Sequence, residues 1–175
     1  ISQAPQEQLT DDAWTAAGKA VEDAIRRLMD FRTQEGKALE AKFREKISNI
    51  RELLASVGPF EKNRVEDIKK RIRESLESNI GTEYDKNRFE QELIYYIEKL
   101  DINEEKQRLS NHLDYFLETL ENDHGQGKKL GFIAQEMGRE INTLGSKSNQ
   151  AEMQNIVVRM KDELEQIKEQ VLNVM

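Results

Sequence analysis

Cysteine is absent from this chain, which excludes a disulfide framework and any thiolate-ligated metal site. Proline occurs only twice in 175 residues, so little in the sequence breaks a helix. No stretch approaches the roughly 18 consecutive apolar residues that would span a bilayer, and no signal-peptide pattern is seen. The compartment expected is therefore the cytoplasm. Positive charge is also in deficit: 27 Lys and Arg stand against 34 Asp and Glu, a net charge of −7. That balance excludes a general nucleic-acid coat, because non-specific affinity comes from Lys and Arg neutralising phosphates, and it disfavours a helix lying on a membrane surface.

What remains is 35% charged and 37% hydrophobic residues, enough for a thin core between long amphipathic helices. The fold class expected is all-α: an elongated helical bundle with a long antiparallel hairpin and a C-terminal coiled-coil-like helix. Thr10 or Asp11 can cap a first helix whose apolar positions run Trp14, Ala17, Val21, Ile25, Leu28 and Phe31, then Leu39, Phe43, Ile47, Ile50, Leu54 and Val57. Unbroken, it would extend on the order of 70 Å, so it needs a partner. Gly58 and Pro59 are expected to end it, and Val65, Ile68, Ile72, Leu76 and Ile80 to return along it as the second arm of the hairpin. Gly36 interrupts the apolar rhythm and is expected at a close helix contact, with a tolerated exposed glycine as the other reading. On this basis residues 1–87 form an arm and 88–175 a C-terminal helical domain.

Gly81 to Asn87 reads as a loop, followed by a third helix through Phe89, Leu93, Tyr96, Ile97 and Leu100. Asp101 and Glu104 have capping-box spacing and would start a fourth helix along Leu109, Leu113, Phe116, Leu117 and Leu120. A fifth buries Leu130, Ile133, Ala134, Met137, Ile141 and Leu144, with Gly145 expected as its terminator. Ser146 or Asn149 can begin the last helix, where Met153, Val157, Met160, Leu164, Ile167, Val171 and Val174 alternate steps of four and three, the seam of a coiled coil.

The chemistry concentrates on the fourth and fifth helices. Glu105, Arg108 and His112 share one helical face, and Glu136, Arg139, Glu140 and Thr143 share another. The short connection makes antiparallel packing plausible, so the two faces can converge. Spacing alone leaves a plainer alternative open: Glu136 with Arg139, Glu104 with Arg108, and Arg139 with Glu105 would be ordinary ion pairs holding two helices in register, with His112 filling a half-buried gap. Lys128 and Lys129 open the fifth helix after Gly125 and Gly127, where free N–H groups favour an anion. A second basic cluster, Lys62, Arg64, Lys69, Lys70, Arg71 and Arg73, is interleaved with Glu61, Glu66, Asp67 and Glu74 and reads more simply as a solvated face. His124 reads as an exposed turn residue.

The segments GQGKKLGFIAQEMGREINTLGSKS at 125–148 and FEQELIYYIEKLDINEEKQRLSNHL at 89–113 closely resemble the C-terminal half of the bacterial YicC/YloC family, formerly known as stress-induced proteins. FRTQEGKAL at 31–39 adds a weaker match, and the three occur in the family's order. The resemblance implies a metal-dependent endoribonuclease acting on single-stranded or structured RNA, assembled as a homo-oligomer, hexameric in known cases. No membrane or DNA partner is expected. It favours Glu105, Arg108, His112, Glu136, Arg139, Glu140 and Lys147 over other charged residues.

Hydrolysing a phosphodiester requires charge relief on the phosphate and an activated nucleophile, and carboxylates holding Mn²⁺ or Mg²⁺ supply both. The ligands expected are Glu105, His112, Glu136 and Glu140. His112, Glu136 and Glu140 would act in catalysis, an imidazole being the side chain that exchanges protons near neutrality. Lys128, Lys129, Arg108, Arg139 and Lys147 would hold the RNA. The other function class is a non-catalytic helical scaffold or RNA-binding adaptor.

The chain opens Ile-Ser-Gln-Ala-Pro rather than with Met and reads as part of a longer polypeptide. The resemblance implies a further N-terminal domain that these residues do not contain. It also marks two departures. Gly131 and Gly138 stand where the family usually places Asp and Asn, so two polar side chains are expected to be missing from one helix face.

Overall fold

A computed structural model describes residues 10–78, 86–122, 126–148 and 150–174. Among these the chain is all-α, with α1 at Asp11–Ala55, α2 at Gly58–Ser78, α3 at Lys86–Leu100, α4 at Asn103–Asn122, α5 at Gly127–Lys147 and α6 at Ala151–Val171. It divides into two compact units, up to Ala41 and from Lys42 on. The division falls inside α1, so the rest of that helix and α2 fall in the second unit.

Up to Ala41 the described chain is the first part of α1. Thr10 starts it: its hydroxyl accepts the Ala13 N–H at 3.3 Å and its carbonyl accepts the Trp14 N–H at 2.9 Å. Asp11 and Asp12 follow in the first turn, where the helix end favours negative charge. The apolar positions of this segment are open: Trp14, Val21, Ile25, Leu28, Met29 and Phe31 are between 52% and 71% exposed. Gly36 is exposed too, and a β-carbon there would have nothing within 4 Å, so the close contact expected of it is not made here.

From Lys42 on, the same helix turns apolar residues into a core. Phe43, Ile47, Ile50 and Leu53 are buried, and the Phe43 ring meets Phe116 of α4 edge-on at 5.4 Å. Lys46 and Asn49 both reach Glu163 of α6 at 3.1 Å, while Arg44 pairs with Glu121 and Arg51 with Asp114. This stretch of α1 is thus seated on α4 and α6. Among the described residues α2 has α3 as a close backbone neighbour, and Glu61 near its start pairs with Lys106 of α4 at 2.6 Å. Gly58 and Pro59 do not end α1. The helix stops at Ala55, and both residues lie in the first turn of α2, where the N–H that proline lacks has no helical acceptor to lose. The described part of the basic cluster on α2 behaves as a solvated face: Lys69 pairs with Glu66 and Lys70 with Glu74.

The seam of α6 is buried within the chain from Met153 to Val171, with Ile156 added to it. Its closest neighbour is α5, and glycine explains how close. A methyl group at Gly131 would lie 3.7 Å from Val171, at Gly138 3.3 Å from Leu164, and at Gly145 3.0 Å from Val157. The glycines rise every seventh residue as their partners descend every seventh, so the two helices run antiparallel with one register along the contact. Gly131 and Gly138 are therefore packing residues facing α6. Gly145 is likewise a contact residue and not a terminator, because α5 continues to Lys147.

The chain leaves α5 through side-chain bonds to its last carbonyls. The Ser148 hydroxyl donates to Leu144 at 2.6 Å, and the Gln154 amide donates to Gly145 at 2.7 Å and to Ser148 at 2.6 Å. Gln150 stands at the N-cap of α6 without a side-chain bond, whereas Asn149 lies outside the described residues. So do His124, Gly125 and most of the Gly81–Asn87 loop, although Lys86 and Asn87 already belong to α3.

Candidate active site on helices α4 and α5

Helix α4 begins at a cap that the sequence announces only in part. One Asp101 carboxylate oxygen accepts the Asn103 N–H at 3.0 Å and the Asn103 side-chain amide at 2.8 Å. Glu104, which a capping box would turn back towards Asp101, pairs with Arg108. The buried face then carries Glu105, Leu109, Leu113, Phe116 and Thr119, and α5 is the closest neighbour of α4.

The antiparallel pairing of α4 and α5 is fixed at both ends. At the start of α4, the Lys147 ammonium donates to Glu105 Oε1 at 2.7 Å and to the Asp101 carbonyl at 2.8 Å. Glu105 lies in the first turn of α4 and Lys147 in the last turn of α5, so each charge also complements the partial charge of its own helix end. At the other end, Lys129 of α5 stands over the Tyr115 ring of α4, 5.2 Å from its centre.

Between these ends the expected site residues separate. Glu136 pairs with Arg139 at 2.9 Å, one turn along the same helix. Arg108 is taken by Glu104, and the Thr143 hydroxyl donates to the Arg139 carbonyl. Two of the three plain ion pairs allowed by spacing are therefore present, and the third is replaced by Lys147 with Glu105. His112 is half-buried. Glu140 is 9% exposed on the face that also buries Met137, Ile141 and Leu144, and no hydrogen bond or ion pair reaches its carboxylate among the described residues.

Glu105, His112, Glu136 and Glu140 all lie among the described residues, yet no group of three or more His, Asp or Glu side chains there comes together to hold a metal ion. Among the described residues these four side chains are not brought together into one ligand set. The reason is local: Lys147 holds Glu105 at the end of α4, and Arg139 holds Glu136 on the surface of α5. Among the described residues, the buried polar atoms Glu105 Oε2, Thr119 Oγ1 and Gln150 Oε1 nevertheless have no hydrogen-bond partner. Glu105 thus spends one oxygen on Lys147 and keeps the other, inside the protein, without a donor.

Chemically, the pair of helices offers two unequal carboxylates. Glu105 has its charge matched and its position fixed, which suits holding the two helices in register. Glu140 has neither and is the better placed to accept a proton or approach a cation. Sequence reasoning missed the Lys147 to Glu105 contact because its partners are 42 positions apart. It missed the cation over Tyr115 for the same reason.

A charged pair of antiparallel helices backed by a third across a line of glycines defines a helical module with its polar chemistry on α4 and α5. The family model described as "Endoribonuclease YicC-like, C-terminal" matches residues 57–175, and the chain belongs to that family. It is 33% identical over 171 residues to a protein of Clostridioides difficile (strain 630) named "Probable endoribonuclease YicC", covering 97% of this chain and 58% of that protein. It is 39% identical over 90 residues to a protein of the same name from Haemophilus influenzae, covering 51% of this chain and 31% of that one. The chain therefore spans little more than half of the first relative, and the half of it that matches the second covers about a third of that protein. Among the described residues no helix is long and apolar enough to cross a membrane.

Proposed function

We propose that this chain is the helical part of an endoribonuclease that cleaves single-stranded or structured RNA with the help of Mn²⁺ or Mg²⁺, as a homo-oligomer in the cytoplasm. Membership of the YicC-like family supports the reaction class. The observation that carries the site is Glu140: a carboxylate on an otherwise apolar face, with no ion pair among the described residues, in the segment of strongest family resemblance. A complete cage of protein ligands is not needed for such an ion. Mg²⁺ commonly takes one or two carboxylates and fills the rest of its shell with water and substrate phosphate. Glu140, with Glu136 one turn away, is the pair that would hold it, and His112 the group that would move a proton.

A labelled single-stranded RNA, incubated with the protein and Mn²⁺ or Mg²⁺ and with an EDTA control, tests this. Cutting should require the metal, and Glu140→Gln, which removes a charged ligand from the ion, should reduce it sharply. Glu136→Gln should weaken it too, with helicity and RNA retention unchanged. Equal cutting by both variants would sink the assignment. The second reading, a non-catalytic scaffold or RNA-binding adaptor, draws on the ion pairs that occupy Glu105, Glu136, Arg108 and Arg139. It expects RNA retention with no metal-dependent cutting.

A further inference from the structure

The first part of α1 carries an apolar stripe that its own unit does not cover. Trp14, Ala17, Val21, Ala24, Leu28 and Phe31 alternate steps of three and four, the spacing that keeps side chains on one seam of a helix. Trp14 is 71% exposed, Phe31 59%, Val21 58% and Leu28 57%. Among the described residues the unit up to Ala41 is this helix segment alone, so it holds no other element against which the seam could be buried. A continuous apolar stripe left in water marks an interaction surface.

The stripe matches itself when turned end for end. With a two-fold axis between Glu22 and Asp23, Trp14 comes opposite the partner's Phe31, Ala17 opposite the partner's Leu28 and Val21 opposite the partner's Ala24. The inner layers thus set a small side chain against a larger one, which lets two helices approach closely. Beside the seam, Gly18 comes opposite the partner's Ile25 and Asp11 opposite the partner's Arg32.

Charge fixes the same direction. Acidic residues prevail from Asp11 to Asp23 and basic ones from Arg26 to Lys37, so antiparallel segments set opposite charge together along their length. Side by side in the same direction, Arg27 would instead lie against the partner's Arg32, a like-charge contact at the positions that choose partner and orientation in paired helices.

From this match we infer that residues 11–34 of α1 are a docking surface for a second copy of this chain, the two segments pairing antiparallel about that axis. Each contact then occurs twice, and association through this surface closes at two chains. The inference goes beyond the homo-oligomer proposed above by naming a surface and a direction, and it is independent of the chemistry given to Glu140.

Sedimentation equilibrium tests it, and Trp14, the sole tryptophan of the chain, reports the same event through its emission. The parent should associate at micromolar concentration. Val21→Asp, which puts a charge into the seam, should abolish the association and move Trp14 emission to longer wavelength. Arg32→Asp should weaken association about tenfold, because by symmetry two contacts with Asp11 turn from attraction to repulsion. Adding Asp11→Arg restores opposite charge and should recover the affinity of the parent. Parallel helices would do the reverse, since Arg32→Asp would relieve the contact with Arg27. Val21, Arg32 and Asp11 are all exposed, so the core from Lys42 on should melt in these variants as it does in the parent.

A parent that stays monomeric would overturn the pairing, leave the nuclease proposal standing and give the stripe to a different surface, such as the part of the relatives that this chain does not span. An association that Val21→Asp leaves intact would overturn the pairing and keep a homo-oligomer built through another face. An association strengthened or left unchanged by Arg32→Asp would overturn the antiparallel direction.

Discussion

The Lys147 ammonium lies 2.7 Å from Glu105 Oε1, joining the last turn of α5 to the first turn of α4. The Glu105 side chain is 7% exposed and that of Lys147 28%. Removing the cation strands a carboxylate that water reaches poorly. Lys147→Met should therefore destabilise the protein by about 2–4 kcal/mol, somewhat below the range for fully buried pairs because Lys147 is partly solvated. Glu105→Gln, which keeps an acceptor for Lys147 and removes the stranded charge, should cost about 1 kcal/mol. Urea unfolding measures both, and a loss below about 0.5 kcal/mol for Lys147→Met would reduce the contact to a surface pair.

The same contact sorts the residues expected to hold RNA. Arg108, Arg139 and Lys147 are each engaged by a carboxylate of the chain, whereas Lys128 is exposed and has no ion pair among the described residues. A cation that must leave an internal partner gains little from a phosphate. The slope of log binding constant against log salt should fall by about 0.7 for Lys128→Ala, as for one lost contact to a single strand. For Arg139→Ala and Arg108→Ala it should stay within error of the parent. Equal changes for all three would mean that the ion pairs open when RNA arrives.

Asp101 gives a third measurement. Its carboxylate accepts the Asn103 N–H, one of the donors that the start of α4 leaves without a helical partner. Asp101→Ala should destabilise by about 1 kcal/mol, and Asp101→Asn, which retains the acceptor, by much less. Identical losses would place the stabilisation in charge near the helix end and not in the cap.

Elements that depend on local spacing were legible in the sequence. The α6 seam, the Asp101 cap and the Glu136 and Glu104 ion pairs all follow from residues one or two turns apart. Gly58 with Pro59 is ambiguous along the chain because such a pair can end one helix or begin the next, and here it begins α2. The expected cluster of Glu105, His112, Glu136 and Glu140 needed more than spacing. Helical periodicity says which residues share a face, but not which of two cations a carboxylate on that face will choose. Nothing in the neighbourhood of Lys147 along the chain announces Glu105, its partner 42 positions away. Gly131 and Gly138 illustrate a related gap: the pattern places them on one side of α5 and is silent about α6 pressing on that side.

That contact makes the glycines a graded test. Glycine within a helix is about 1 kcal/mol worse than alanine, so any position with room should gain stability from the change. At Gly131 the new methyl would meet Val171 at 3.7 Å, an ordinary contact, and Gly131→Ala should stabilise by up to about 1 kcal/mol. Gly36 has nothing within 4 Å and should behave the same way. At Gly138 the approach to Leu164 is 3.3 Å, but the atom met is the movable end of a side chain, so gain and strain should nearly cancel. At Gly145 the methyl would sit 3.0 Å from Val157, a β-branched side chain with little rotational freedom, held in the buried face of α6. Gly145→Ala should destabilise by about 1–3 kcal/mol as the helices are forced apart. Thermal and urea unfolding should rank the variants in that order. A stabilising Gly145→Ala would mean that α5 and α6 stand farther apart than this register requires.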